Sequence, residues 1–280
     1  MRGITINDTR YLVPENWDEL TTKDLLFLAD MYLRGVNPNE IQVKMLFHSL
    51  GAHVKKKRGQ YLMKIGKKSY AVTAPDVAMM AGCFAFLFTT QTDGSEGKAE
   101  KMMLDPGLVK NPFPTLSYLG IFRLKGPSDA LTDLRYEQFI YLQTYAAAYA
   151  AAVNEQSDSA EDSLNMLIAS MYHLGEFDAL KMRKVGRYVA SQSIQARIVV
   201  YWYYLGCMRF IAGKFPKVFE RDESGVVRNM FDAQMRMVDI LAEGDVTRKD
   251  NVRKAMLYDV LYTFEGNVER AEEIEKMRKQ

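Results

Sequence analysis

Apolar residues recur along most of this chain with the period of a helix. Between Arg197 and Arg209 no residue is charged, and Trp202 and its neighbours make the remaining faces aromatic. A helix over 191–215 would therefore be apolar on most sides, although it is too short to cross a bilayer. The pattern predicts the central helix of a helical core, with Trp202 and Leu205 buried. Its predicted apolar stripe consists of Ile194, Ile198, Tyr201, Leu205, Met208 and Ala212.

Helical periods and helix-ending residues predict further helices in the rest of the chain. Thr21 followed by Asp24 resembles a capping box, and Gly35 and Gly51 are typical helix ends. After residue 132 the chain is predicted to be nearly all helix. The predicted helices cover 21–34, 38–50, 76–90, 136–153, 160–174, 178–190, 226–242, 250–263 and 267–278.

Two short segments alternate instead with the period of a strand. A first hairpin is predicted over 3–13, with Asn7-Asp8 at its corner, and a second over 61–72, with Gly66-Lys67 as its turn. Residues 91–130 lack a helical period and are predicted to form a loop and an irregular connector. The expected fold is mainly α. It comprises an N-terminal α+β region (1–90) with one or two small β-hairpins, the connector (91–130), and a helical bundle-like domain (131–280).

Composition and charge narrow the functional classes only slightly. The net charge is +2 and 48% of the residues are hydrophobic, which is typical of a soluble globular protein. Cys83 and Cys207 lie in apolar runs, so buried thiols are expected. The N-terminal residues have no apolar segment of the signal-peptide kind, and no stretch reaches transmembrane length.

Residues with catalytic or metal-binding potential do not form a recognisable motif. The sequence has no G-x-S-x-G, phosphate-binding loop or G-x-G-x-x-G motif. His48 and His53 are spaced poorly for a metal site, and no further ligands lie at suitable spacing. A dyad of Cys207 and His173 would place the thiol in the most apolar helix, where it would be inert. We therefore expect no catalytic residues, no metal and no cofactor, although an enzyme of unrecognised type remains a third hypothesis.

A basic segment at 54–72 is the main candidate for contact with a charged partner. Tyr61 and Tyr70 are interleaved with its cations, and positive hairpins with aromatic residues can follow a phosphate backbone. The alternative is a solvated edge strand that lysines protect from aggregation. The candidate residues for contact with an acidic partner are Lys55, Lys56, Lys57, Arg58, Lys64, Lys67 and Lys68.

The N-terminal sequence resembles the start of phage tail-assembly-chaperone-type proteins. Those proteins begin with a small hairpin followed by P-x-x-W-D-E-L-T, which leads into a helix. The matching residues here are Pro14, Trp17, Asp18, Glu19, Leu20 and Thr21.

Three later segments resemble proteins carried by phages and prophages of Bacteroidetes-type bacteria. The matching segments are Gly126–Phe139, Leu167–Tyr172 and Tyr204–Phe219. The resemblance implies a non-enzymatic phage or prophage tail-module protein, either an assembly factor or a structural component. Its partners would be tail or virion proteins, or further copies of itself. It would act in the bacterial host cytoplasm during assembly or in the virion.

Two hypotheses therefore lead. In the first, a tail-module protein acts through protein–protein contacts, with residues 1–13 and 111–131 as its exposed contact elements. In the second, the basic hairpin binds nucleic acid. Neither hypothesis requires a membrane.

Overall fold

The structure, a computed structural model, describes residues 1–57, 60–91, 101–219 and 230–279. It confirms the mainly α fold with small antiparallel β-elements. The chain divides into two compact units, Met1–Pro112 and Phe113–Gln280, and the division falls inside the expected connector.

The first two helices confirm the predictions from capping and glycine positions. Helix α1 spans Thr22–Leu33, and helix α2 spans Pro38–Leu50. The Thr21 hydroxyl accepts a hydrogen bond from the Asp24 backbone N–H at 3.3 Å, which with the reciprocal bond forms a capping box. Helix α2 ends at Gly51, whose φ of 59° is the left-handed conformation that glycine adopts without strain.

The N-terminal hairpin also forms as predicted. Strands β1 (Arg2–Ile6) and β2 (Thr9–Val13) pair in antiparallel fashion. Asn7 and Asp8, with φ of 43° and 64°, make the two-residue turn.

The basic segment forms three strands rather than a simple hairpin. Strands β3 (Ala52–Lys57), β4 (Gln60–Ile65) and β5 (Lys68–Val72) lie in that order in one antiparallel sheet. Strand β3 is not predicted from the sequence, because its run of lysines lacks the apolar alternation by which strands are recognised.

The N-terminal hairpin packs on this sheet. Ile6 belongs to the same buried cluster as Met63, Ile65, Tyr70 and Val72. The expectation that residues 1–13 form an exposed contact element is therefore wrong for the inner face of the hairpin.

The next segment differs from the predicted helix over 76–90. Helix α3 spans only Ala74–Ala81, a 3-10 helix follows over Gly82–Leu87, and strand β6 (Phe88–Gln91) pairs with β7 (Lys101–Leu104). The apolar residues after Ala81 form the tighter turns of the 3-10 helix, which buries Cys83, Phe84 and Leu87. The residues after Leu87, which include the β-branched Thr89 and Thr90, pair as a strand. The prediction of a continuous loop after residue 91 was therefore wrong at β7.

The second unit begins with an unpredicted hairpin and continues as packed helices. Strands β8 (Thr115–Tyr118) and β9 (Phe122–Lys125) are antiparallel, so the expectation of an irregular 111–131 segment was wrong there. Helix α5 packs against α4 and α6, and α8 packs against α4. The helices are α4 (Tyr136–Asn154), α5 (Ser159–Met171), α6 (Met182–Ala190), α7 (Ile194–Lys214), α8 (Met230–Leu241), α9 (Lys249–Lys254) and α10 (Leu257–Lys279).

Helix α7 is the predicted central helix, but its most buried stripe is not the predicted one. Trp202 is buried as expected, whereas Leu205 is only partly buried and Ile194 is exposed. The helix is apolar on most sides, so periodicity alone did not identify the innermost face. The most buried stripe contains Ala196, Val199, Val200, Tyr203, Cys207 and Ile211.

The C-terminal helices break at a different place from the predicted one. Gly266 lies inside the continuous helix α10. The break occurs instead at Ala255, whose carbonyl accepts the Tyr136 N–H at 2.9 Å, while the Leu257 N–H donates to the Leu134 carbonyl at 2.8 Å. These two bonds to the segment before α4 replace helical hydrogen bonds at residues 255–257, and no residue near Ala255 indicates such a break in the sequence.

Candidate functional site

The basic candidates that the structure describes do not form one surface. Lys55 and Lys56 are on β3, Lys64 is on β4, Lys67 is in the turn, and Lys68 is on β5. Arg58 and the side chain of Lys57 lie outside the described residues.

The strand register separates the described lysines into two groups. His53 pairs with Lys64 across the sheet, and Lys55 pairs with Leu62, so Lys55 and Lys64 project from the outer face. Lys56 pairs with Tyr61 and shares the opposite face, where its Nζ lies 5.7 Å from the centroid of the Tyr61 ring.

Lys68 also belongs to the opposite face, at the end of β5. Its Nζ donates a hydrogen bond to Thr9 Oγ1 on the N-terminal hairpin at 2.9 Å. Alternation along the strands therefore divides the basic segment, which looks continuous in the sequence.

The two interleaved tyrosines do not accompany the outer lysines. Tyr70 is only 5% exposed, and its hydroxyl lies 2.6 Å from the Tyr11 hydroxyl. Tyr61 is 41% exposed but lies on the face of Lys56. Neither ring lies on the face of Lys55 and Lys64. The cation and the exposed aromatic ring that share a face are Lys56 and Tyr61.

His48 and His53 both border a cleft in the first unit. The His48 ring stacks on Phe27 with centroids 4.2 Å apart, and its Nε2 lies 3.3 Å from Asp24 Oδ1. Asp24 is held by the capping box, which fixes this contact. Among the residues that the structure describes, no group of three or more His, Cys, Asp or Glu side chains could hold a metal ion.

His173 and Cys207 have different neighbours. His173 Nδ1 lies 2.6 Å from the Gly175 carbonyl oxygen, and burial lowers the pKa of the imidazole. Cys207 is fully buried and lies beside Tyr203 and Tyr258. The His173 ring thus has a polar contact with the backbone, and the Cys207 thiol lies in the buried core of the second unit.

An exposed apolar feature of the second unit is the tip of the β8–β9 hairpin, defined here as residues 119–121. The Ile121 N–H donates to the Tyr118 carbonyl at 3.2 Å, and the two residues between them, Leu119 and Gly120, have φ of 51° and 70°. Leu119 is 74% exposed and Ile121 is 78% exposed. The turn thus presents two aliphatic side chains to solvent at its end.

Aromatic stacking fixes the base of this hairpin. The ring of Tyr188 on α6 stacks on Tyr118 at 4.2 Å and on Phe122 at 5.8 Å between centroids. Gln192 Nε2 donates to the Ser117 carbonyl at 2.7 Å. The apolar tip therefore projects from a held base.

The 111–131 segment is predicted from the sequence as a contact element, but its β-hairpin is not predicted. The available signal was the alternation of Leu116 and Tyr118 before Gly120, and of Phe122 and Leu124 after it. The prolines at both ends concealed this pattern.

Comparison of the chain with protein-family models, curated proteins and solved structures finds no match. Within the described residues, no helix combines the length and the apolar character needed to span a membrane.

Proposed function

We propose that this protein is a non-enzymatic component of a phage or prophage tail module, an assembly factor or a structural part, that acts through protein–protein contacts. The observation that carries the proposal is the apolar tip of the β8–β9 hairpin. The resemblance of residues 4–33 and of the three later segments to phage proteins supplies the biological context.

The conformation of Leu119 supports a binding role for the tip. Left-handed turn positions favour Gly, Asn and Asp, and a larger side chain there costs roughly 1 kcal/mol or more. An exposed leucine at such a position gains little burial from the fold of its own chain. Strained or unfavourable residues of this kind are concentrated at functional sites.

The architecture of the tip defines the complementary surface. Two aliphatic side chains on either side of Gly120 in a narrow turn fit an apolar pocket on a partner, and burial of each would contribute about 1.5–3 kcal/mol. The stacked base keeps the tip ordered before binding, which reduces the entropy lost on association. We expect the partner to be a tail or virion protein.

Nucleic-acid binding by the basic segment is the competing function. The division of its lysines between two faces and the burial of Tyr70 argue against it. Lys55 and Lys64 share the outer face and could contact a phosphate backbone together, so nucleic-acid binding is tested by experiment below.

The test replaces the tip without disturbing the turn. In the double variant Leu119→Asn and Ile121→Ser, asparagine suits the left-handed position, so folding should be retained. The protein is co-expressed with the tail proteins encoded beside its gene, and the complex is measured by co-purification and light scattering. We expect at least a tenfold loss of affinity.

The matched control is Val246→Ser, which removes an aliphatic side chain that is 75% exposed elsewhere in the same unit. Equal binding by the tip variant and the wild-type protein would contradict the role of the hairpin. A gene neighbourhood of replication or recombination genes, with no tail genes, would contradict the tail-module function itself.

A further inference from the structure

Strand β3 offers a free backbone edge. Among the described residues it pairs with β4 alone, so one row of its N–H and C=O groups has no strand partner. His53, Val54, Lys55 and Lys56 are all exposed. Such an edge can accept a further strand.

The charges of β3 determine which strand it can accept. A second copy of β3 would place lysines opposite or diagonal to lysines, and like charges across strands are destabilising. A strand that carries carboxylates would instead meet Lys55 on the outer face and Lys56 on the other. Charge therefore disfavours self-association through this edge and favours an acidic strand.

A cleft of about 420 Å³ lies at the beginning of β3. Phe27, Met31 and Phe47 supply its apolar lining, and Gly51 and Ala52 connect it to the strand. An apolar side chain at one end of an added strand would reach this cleft while the acidic residues follow the lysines. The cleft therefore borders the first residues of the strand that carries the free edge.

We propose that the β3 edge binds an extended acidic segment of another protein, which adds as a further strand and places an apolar side chain in the cleft. This interaction is separate from the hairpin tip and does not depend on the proposed tail function.

The hydrogen-bonding groups of the edge favour a peptide over a nucleic acid. A strand edge presents N–H donors and C=O acceptors in alternation, and a peptide backbone complements both. A phosphodiester supplies acceptors but no donors. The lysines alone would attract either polymer, so the experiment must detect the backbone pairing.

The experiment uses the full-length protein and three fluorescein-labelled peptides. The first is Leu-Thr-Val-Glu-Glu-Val-Thr-Val, whose adjacent glutamates project to opposite faces of a strand. The second has glycine in place of its leucine, and the third has lysine in place of each glutamate. Affinity is measured by anisotropy, and hydrogen exchange reports protection of the amides of residues 52–56. We expect the first peptide to bind, the second to bind about tenfold more weakly, and the third not to bind.

Variants of the protein test the charge contribution. Lys55→Glu should weaken binding of the first peptide at least tenfold, and Lys55→Gln, which changes the fold least, should weaken it severalfold. Lys23→Glu is the matched control, since Lys23 is an exposed lysine on α1 that does not border the cleft. Its affinity should stay within twofold of that of the wild-type protein.

Two results would overturn the proposal. One is that the first peptide fails to bind or binds without protecting the amides of residues 52–56. The other is that a 12-nucleotide oligothymidylate binds more tightly than the peptide, with the same dependence on Lys55. The second result would assign the lysines to nucleic acid.

Discussion

The ring of Tyr118 lies nearly flat on the ring of Tyr188, with centroids 4.2 Å apart and planes inclined by 17°. This contact joins the β8–β9 hairpin to helix α6 across a long interval of sequence. The contact therefore holds the strands below the exposed tip against the helices of the same unit. A partner that binds the tip meets a surface which is positioned before contact.

Tyr188→Ala should loosen the hairpin while leaving the tip residues unchanged. Aromatic pairs contribute about 0.5–1.5 kcal/mol beyond area burial, so local opening should become roughly 2- to 10-fold more frequent. Hydrogen exchange of the amides in β8 and β9 measures this opening. Tyr188→Phe keeps the stacked ring and should exchange like the wild-type protein. Equal exchange in the alanine variant and the wild type would show that the stack does not hold the hairpin.

The burial of helix α7 predicts different costs for two similar truncations. Ile211 is fully buried, so Ile211→Ala should lower the free energy of unfolding by about 2–5 kcal/mol. Leu205 is only partly buried, and Leu205→Ala should cost less than about 2 kcal/mol.

Urea unfolding followed by far-ultraviolet circular dichroism measures both variants, since most helical residues lie in the second unit. A larger loss for Leu205→Ala than for Ile211→Ala would restore the stripe predicted from the sequence.

The sequence predicted most helices because their signals are local. Thr21 with Asp24 marks a helix start, and Gly51 marks an end, through bonds made within a few residues. The break at Ala255 could not be predicted in this way, because its partners belong to the segment before α4. Gly266 carries a local signal for a helix end, but helix α10 continues through it, so the predicted break at this residue was wrong.

The candidate site was less predictable than the fold. Sequence proximity grouped Lys55 with Lys56, but the register of β3 on β4 puts their side chains on opposite faces. A one-residue change in register exchanges the two faces, so pairing must be known before a surface can be assigned. Similarly, exposure of Leu119 follows from the turn geometry of a hairpin that was not predicted.

Protonation of His173 should destabilise the second unit at low pH. Burial lowers the pKa of this imidazole in the folded protein, opposed by its bond to the Gly175 carbonyl, so the unfolded chain binds the proton more readily. Stability contributed by the neutral imidazole is therefore present above the unfolded pKa of about 6.5 and is lost as pH falls through that value towards the folded pKa.

The melting temperature between pH 7.5 and 5 measures this effect. His173→Asn can keep a donor near the Gly175 carbonyl and should show a weaker decrease of melting temperature over the same range. Lys125, Asp133 and Arg135 also act on this group and are unchanged in the variant. An equal pH dependence in both proteins would exclude His173 as its source.

Both cysteines should react slowly with a thiol reagent at neutral pH. Burial raises the pKa of the Cys83 thiol, although Arg2 opposes the shift, and Cys207 is completely buried. Reaction then requires opening of the structure, and we expect rates on the order of 100-fold or more below that of free cysteine.

Each of the single variants Cys83→Ala and Cys207→Ala leaves one thiol, so its rate of modification belongs to the remaining cysteine. We expect Cys207 to react more slowly than Cys83. Urea should release both thiols. Rapid modification of Cys207 in the folded protein would contradict its burial and revive a catalytic role for the thiol.

The division of the described lysines between two faces lowers the electrostatic binding of nucleic acid that we expect from the outer face of the basic segment. Lys55 and Lys64 are the described candidate lysines that share the outer face, so they offer about two phosphate contacts. About two contacts give a slope of log affinity against log salt near −1.8 on duplex DNA and near −1.4 on single strands. We therefore expect weak binding at physiological salt.

The joint variant Lys55→Ser and Lys64→Ser should remove these two contacts and bring the small slope close to zero, with the slope measured by anisotropy between 50 and 200 mM salt. Lys23→Ser with Lys110→Ser removes the same charge from the first unit and serves as the control. A slope near −4.5 on duplex DNA would require about five contacts, more than the two outer lysines provide. If the variant also flattened that slope and the control did not, the basic segment would bind nucleic acid after all, and the protein–protein function would lose its priority.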